Sequence, residues 1–344
     1  MSARKQKNRF FLSGLTVLLV IVACFSLTCG QIDIPMKNTL AIIAYHIGLP
    51  VKSGDFNAQQ AAVIWFIRMP RMIIGLLVGA ALAISGAVMQ GVFSNPLAGP
   101  SMIGVSSGAA MGAVLAIALG LSAQNAFFLP AFAFAGSILA VVLTVFLSMR
   151  NGKIAVMTLL LAGIAVSMLL GALTSGILTI INEQKLQSYL FWIIGGLDYR
   201  RWLHVYIAAG PILIGMAIIF LLSRHLNILV LGETEAKNVG MPVMVFRMGL
   251  LFLAAMVTST SVCVSGNIGF VGLVVPHMMR LLIGPDHRIL LPASALAGGA
   301  FLVICDSLGR IILPATEIRV GIMTAILGTP YFIYLLRKMQ KYYF

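Results

Sequence analysis

The sequence predicts an all-α polytopic membrane protein of about ten transmembrane helices, on three observations. Hydrophobic residues make up 60% of the 344 positions and charged residues only 9%, against about a quarter charged in a soluble domain. Apolar stretches long enough to cross a hydrocarbon core of about 30 Å recur along the chain. The 23 Lys and Arg fall mostly between those stretches. Together these exclude a soluble globular enzyme. They make the formal charge of +14 a topology signal, with no need for nucleic acid as a partner.

Taken in order, the first span at 10–30 follows the basic cluster Arg4-Lys5-Gln6-Lys7-Asn8-Arg9. It is too long for the apolar core of a signal peptide, and Ser26-Leu27-Thr28-Cys29 is a poor lipobox, so a retained span is expected. An external loop at 31–62 leads to the second span at 63–90, and the third and fourth lie at 104–121 and 127–148. The turn Arg150-Asn151-Gly152-Lys153 enters the fifth span at 154–181. After a connection at 182–202 come the sixth span at 203–222 and a segment at 223–245 too long to be a turn. The last four spans fall at 246–265, 271–283, 289–305 and 318–336. Ten crossings place both termini on one side of the lipid bilayer. Assigning that side to the cytoplasm puts 14 of the 23 basic residues inside, as the positive-inside rule requires. The whole chain, 1–344, reads as one transmembrane domain.

Within the spans, Gly75-Leu76-Leu77-Val78-Gly79-Ala80-Ala81 is echoed by Gly249-Leu250-Leu251-Phe252-Leu253-Ala254-Ala255 five crossings later. Copies that far apart run in opposite directions, the mark of an inverted repeat. Each copy leads into a helix-breaking stretch, one around Asn95-Pro96 and the other around Gly269 and Gly272, with Pro276-His277 beyond. Irregular backbone at membrane depth is tolerated only where protein buries it or a wet cavity meets it. Small residues at Gly75 and Gly79, and at Gly108 and Gly112, suit close helix approach. Arg68 and Arg71 share a face at the external mouth of the second span, and Asp306 and Arg310 close the ninth. They read either as interfacial cations or as anchors for an acidic partner.

Chemistry is absent from the pattern. Gly104-Val105-Ser106-Ser107-Gly108 matches G-x-S-x-G, but no strand precedes it and no His and acid stand ready to activate the serine. Gly152-Lys153 is followed by Ile154, so no Walker A loop is present and the chain is expected not to hydrolyse ATP. Cys24, Cys29, Cys263 and Cys305 lack metal-ligand spacing, and no metal site is expected. His277, three residues before Arg280, reads as a satisfied interfacial histidine in preference to a proton relay.

From Arg68-Met69-Pro70-Arg71 through Gly79 to Gln90, Asn95-Pro96-Leu97-Ala98-Gly99-Pro100, Leu231-Gly232-Glu233, Gly269-Phe270-Val271-Gly272 to Pro276-His277, and Gly321-Ile322-Met323-Thr324-Ala325, the chain resembles the FecCD family. These are the permeases of ABC importers for iron-siderophores, haem and cobalamin, and the resemblance covers roughly residues 60–337. It implies a multi-pass subunit of the bacterial plasma membrane, paired with a second copy of itself. An external substrate-binding protein and two cytoplasmic ATP-binding cassette subunits complete the assembly, with ATP and Mg acting on those subunits and no cofactor held by this chain. By motif position, Arg68, Arg71 and Arg310 become docking residues for the binding protein. Charge reversal at Arg68 and Arg71 is then expected to impair docking without harming the fold. Leu231, Gly232, Glu233, Glu235, Ala236 and Gly240 fall in the coupling segment, expected as one short amphipathic helix ended by Gly240. The pathway is expected along the fifth and tenth spans of the dimer, with Val156, Met157 and Thr158 at the constriction. The function implied is import of a metal chelate by alternating access, ferric siderophore first, then haem or cobalamin. The competing reading is an ion-coupled secondary transporter of a small solute.

Overall fold

The structure, a computed structural model, describes residues 2–30, 32–50, 56–150, 153–154, 156–313 and 316–343. Its helices are α1 (Ser2–Thr28), α2 (Met36–His46), α3 (Ala58–Val92), α4 (Val105–Ala118), α5 (Phe128–Ser148), α6 (Val156–Ile180), α7 (Glu183–Ile194), α8 (Trp202–Leu221), α9 (Ser223–Val230), α10 (Glu233–Asn238), α11 (Val243–Ser265), α12 (Val271–Ile283), α13 (His287–Ile311) and α14 (Val320–Tyr343). A two-residue ladder, Met149–Arg150 against Lys153–Ile154, precedes α6; Asn151 and Gly152 at its tip lie outside the described residues. Among the described residues, seven helices are long and apolar enough to cross a membrane: α1 from Gln6, α3, α5, α6, α8, α11 and α13. The shorter apolar helices α4, α12 and Val320–Tyr334 of α14 occupy the other three expected crossings.

Helix length explains the breaks. At 1.5 Å per residue, the 14 residues of α4 and the 13 of α12 reach only about 20 Å. The chain ahead of each must therefore dip into the bilayer. The first dip is built by Asn95, whose side chain accepts the Leu97 N–H at 2.9 Å, and by Pro96. It ends at Gly104, whose φ of 86° lets the chain turn into α4. The second runs from Gly266 through Gly269 to Phe270, which holds a φ of 67°. Both halves thus show a long helix, a break and a half-length helix. Neither Gly272 nor Pro276 is part of the second break: both lie inside α12, the latter as a proline within the helix. Lacking an N–H, it cannot bond the carbonyl of Gly272 four residues back. That freed oxygen is directed at Gly86 of α3, where a Cβ would also sit 2.7 Å from the Gly272 Cα.

Close approach organises the rest of the centre. A Cβ at Gly79 would stand 2.9 Å from the Gly299 Cα of α13, and one at Gly108 would meet Ala140 Cβ at 2.6 Å beside Gly136 of α5. Gly112 likewise backs onto Phe132, whereas Gly75 meets only the Val303 and Leu197 side chains. Central α3 and α11 are mostly buried, while α6 keeps only 22% of its most apolar window inside the chain.

The expected connections carry structure of their own. Region 31–62 holds α2 and the start of α3, with residues 31 and 51–55 outside the description. A π turn at Val63–Arg68 leaves the Trp65 carbonyl to accept the Trp202 indole N–H at 2.9 Å, and His46 stacks on Trp65 at 4.3 Å. The segment 223–245 is two helices, not one. Gly232, at φ 114°, breaks the chain between α9 and α10. Beyond α10, Gly240 at φ 77° forms the expected stop, with the Met241 N–H bonded to the Ala236 carbonyl at 3.0 Å.

Candidate functional site

At the end of the bundle bearing the α1 C-terminus, Arg68, Arg71 and Arg310 do come together, but inside the protein. They are 6%, 8% and 5% exposed. Arg71 bonds Asp306 at 2.8 Å, Glu317 at 2.7 Å and Asp198 at 3.1 Å. Arg310 lies 3.3 Å from the other Asp306 oxygen, and Arg319 lies 3.8 Å from Asp198. Arg71, Arg310 and Arg319 thereby balance Asp198, Asp306 and Glu317. The remaining guanidinium donors cap α1: Arg68 bonds the Leu27 and Thr28 carbonyls at 2.8 and 2.7 Å, as well as Ile32 O. Arg310 bonds Ser26 O at 3.0 Å and Cys29 O at 3.2 Å. Cations belong at a helix C-terminus, where the last carbonyls lack partners. The three arginines expected as docking residues are thus turned inward. Arg71 and Arg310 meet carboxylates and Arg68 meets carbonyls, which ties α1, α3, α13, the segment before α14 and the loop after α7 in one frame.

At the opposite end, α9 is pinned beneath the head of α13. The Asn227 side-chain amide donates to Asp286 at 2.8 Å, and its carbonyl oxygen accepts the His287 N–H at 2.9 Å. Leu226 is fully buried against Gly91 of α3. In α10, Ala236 faces inward, whereas Leu231 and Val239, just beyond its two ends, are 70% and 68% exposed. Glu233 is tied to Lys237 at 2.8 Å and Arg247 at 3.3 Å, and those bonds, Lys237 first, hold its carboxyl below the usual range. Glu235 and Gly240 stand in solvent. The result is a braced platform with two apolar residues facing outward.

Asp286 caps α13 by accepting the Arg288 N–H at 3.1 Å. Hydrogen bonds from the Arg288 side chain, then from Asn227, hold its carboxyl well below the usual carboxylate range despite partial burial. A depressed folded value means the contribution is complete above the unfolded value of about 3.9 and is lost as pH falls through the folded one. Thermal melts of the full-length protein are therefore expected to show this contribution intact from pH 7 to about 4 and declining below it. Asp286→Asn should remove that acid-side decline, and parallel melts of the two proteins at each pH check it.

Between the ends, the two breaks meet. A cavity of about 360 Å³ is walled by Leu97 and Gly99 to Met102 from the first, by Asn267 to Phe270 from the second with Gly272 and Leu273 of α12, and by Phe332 of α14. A second, of about 290 Å³, adjoins it at Ser106 and Asn267 and is closed by Gly171, Thr174 and Ser175 of α6. Along α6, Met157, Leu161, Ile164 and Met168 are exposed. Val156 is half-buried at its head and Thr158 is exposed beside Met157. Buried His277 lies 6.3 Å from the Tyr331 ring. Arg280 donates to Gln90 at 2.9 Å, which in turn donates to Leu273 O at 3.0 Å.

Sequence reasoning missed Asp198, Glu317 and Arg319 as one network with Arg71, because they are distant in the chain. It also missed Asn227 as a brace. The only available signal was a surplus of loop carboxylates, Asp198, Asp306 and Glu317, facing the same side as the arginines.

Comparison with known proteins agrees with this architecture. The FecCD transport family matches residues 18–338. The cobalamin import system permease protein BtuC of Halobacterium salinarum is 42% identical, over 94% of this chain and 95% of its own. The hemin transport system permease protein HmuU of Yersinia pestis is 37% identical, over 97% of each chain. A solved structure of a metal-chelate type ABC transporter in an inward-facing conformation superposes with a TM-score of 0.83 and 34% identity, covering 96% of this chain and 99% of that one. The chain is thus an importer permease, a multi-pass cell-membrane subunit whose ATP hydrolysis belongs to separate subunits, and it belongs to the FecCD transport family.

Proposed function

We propose that this chain imports a large metal chelate by alternating access, with cobalamin or haem as the first cargoes to test and ferric siderophores next. The observation that carries this is near full-length similarity to permeases named for cobalamin and for hemin, both bulky metal chelates. The cavity where the breaks meet, closed by α6 and α14, supports it as the start of a route. The exposed apolar face of α6 suits a second copy of the chain, so the route is read as lying at a homodimer interface. Val156, Met157 and Thr158 then sit at its narrow point.

In this reading the α9–α10 platform lies in the cytoplasm, where exposed Leu231 and Val239 seat in one of two ATPase subunits. ATP and Mg act on those partners. The bracing through Asn227 passes their closure to α13. The substrate-binding protein docks at the other end, on the surface that Arg68, Arg71 and Arg310 hold in shape. The ion-coupled alternative is set aside, since the family's members are ATP-driven.

The test is uptake by proteoliposomes holding the chain with its ATPase and binding protein, presented with radiolabelled cobalamin, haem and ferric siderophores in turn. ATP-dependent accumulation of one of these is expected. Accumulation driven by a proton or sodium gradient without the ATPase would overturn the reading.

A further inference from the structure

Helix α2 has an apolar stripe that the described residues leave uncovered. Its inner face is closed: Thr39 and Ile42 are buried, and Ile42 packs with Ile34 and with Ile64 of α3. Met36, Leu40 and Ile47, the last at the helix's end, are instead 41%, 55% and 61% exposed. At about 3.6 residues per turn these positions fall within about 40° of one another, beside the buried face. Lys37 is exposed on the next strip round, and the helix holds no carboxylate. Tyr45 is exposed on the far side.

What meets that stripe follows from the surface it continues. The π turn on which α2 packs belongs to the head of α3, a helix of membrane length from Ala58. Phe66 and Ile67 of that turn are exposed, so the lipid-facing side of the span begins beside α2. A chain of rings runs the same way. His46 stacks on Trp65, Trp65 stands 5.1 Å from Trp202 at the head of α8, and Trp202 stands 6.2 Å from Tyr206. Tyr206 is 74% exposed, one turn into a second helix of membrane length. Trp and Tyr rings collect at the height of the lipid headgroups, where one edge is apolar and the other wet.

We propose that α2 is a membrane-surface helix, with Met36, Leu40 and Ile47 sunk into the headgroup–acyl boundary of the leaflet at the end of the bundle bearing the α1 C-terminus. An amphipathic helix of this kind lies in the plane of the interface, apolar side down. Lys37 reaches the lipid phosphates from the edge of the stripe, as long cationic side chains do at such a boundary. A soluble protein seated on the stripe would have to enter the headgroup layer that Phe66, Ile67 and Tyr206 already mark. Through Ile42 and Ile64, the bilayer then seats the head of α3 at a fixed depth, and Arg68 and Arg71 with it.

The test places p-benzoylphenylalanine, a photoreactive residue that captures C–H bonds within its reach, singly at Leu40, Ile47 or Tyr45. All three side chains are exposed, so the replacements leave the packing of Ile42 on Ile64 untouched. The full chain is reconstituted in vesicles of phosphatidylethanolamine and phosphatidylglycerol with its binding protein present, irradiated, and read by mass spectrometry of the intact chain. Phospholipid adducts are expected at Leu40 and Ile47, several-fold more abundant than at Tyr45. Capture of the binding protein or of a second copy in place of lipid at Leu40 and Ile47 overturns the proposal, as does the absence of any adduct there. Lipid capture at Tyr45 equal to that at Leu40 also overturns it, because the stripe would then not be the side that meets the bilayer.

Discussion

Gly86→Val is expected to yield no folded permease. The position sits where α3 crosses the head of α12, and the Gly272 carbonyl freed by Pro276 occupies the space any Cβ needs. Its Cα would also be only 2.7 Å away. The obstacle is backbone on both sides, so no rotamer change relieves it, and α3 and α12 would have to separate. Overpacking a close-packed core costs about 1–3 kcal/mol when side chains can yield. Here they cannot, and we expect the upper end of that range or beyond, seen as loss of monodisperse protein on extraction. Gly249→Ala, at a glycine inside α11, is the control. A Cβ there meets nothing within 4 Å, and replacing Gly by Ala in a helix interior stabilises by roughly 0.5–1 kcal/mol. Equal melting temperatures for the two variants would refute this account of the crossing.

Arg71→Glu is expected to unfold the end of the bundle that holds α1, not merely to weaken a contact. The change would place four carboxylates around Arg310 and Arg319, all at or near the positions where Asp198, Asp306 and Glu317 now balance three cations. Breaking a buried pair by removing one partner costs about 3–5 kcal/mol, because the remaining charge has lost both water and partner. Reversal adds repulsion to that loss. The earlier expectation, that reversal at Arg68 and Arg71 spares folding, does not survive their burial. Melting of the purified chain checks this, with Arg71→Met and Asp306→Leu singly and together. The double variant should recover much of what each single variant loses. A reversal variant that melts with the parent would refute the frame. Lys237→Ala, which removes an exposed pair with Glu233, should cost less than ~1 kcal/mol in the same assay.

Much of the architecture was legible in the chain. The expected span at 271–283 coincides with α12, and each of the other expected spans has a matching helix. Apolar run length is a local property, and the bilayer fixes how long a run must be. The same holds for Gly104 and Gly240, where a positive φ is a demand of the local backbone. The split between α9 and α10 at Gly232 is local too, but a Gly in a polar segment does not by itself say whether it ends a helix or only bends one.

What the tertiary structure alone decided is which charges and which backbones meet. Arg71 and Asp306 are 235 positions apart, and no pattern in either segment says that one neutralises the other. Exposed arginines and buried ones look alike in sequence, because the difference lies in whether carboxylates from three other elements arrive beside them. The same is true of Pro276, which reads as a breaker and proves to be a helix residue that turns a carbonyl toward Gly86. Sequence thus determined the spans and the family, since these follow from hydropathy and motif. Long-range packing determined the site, since burial and pairing depend on segments that only folding brings together.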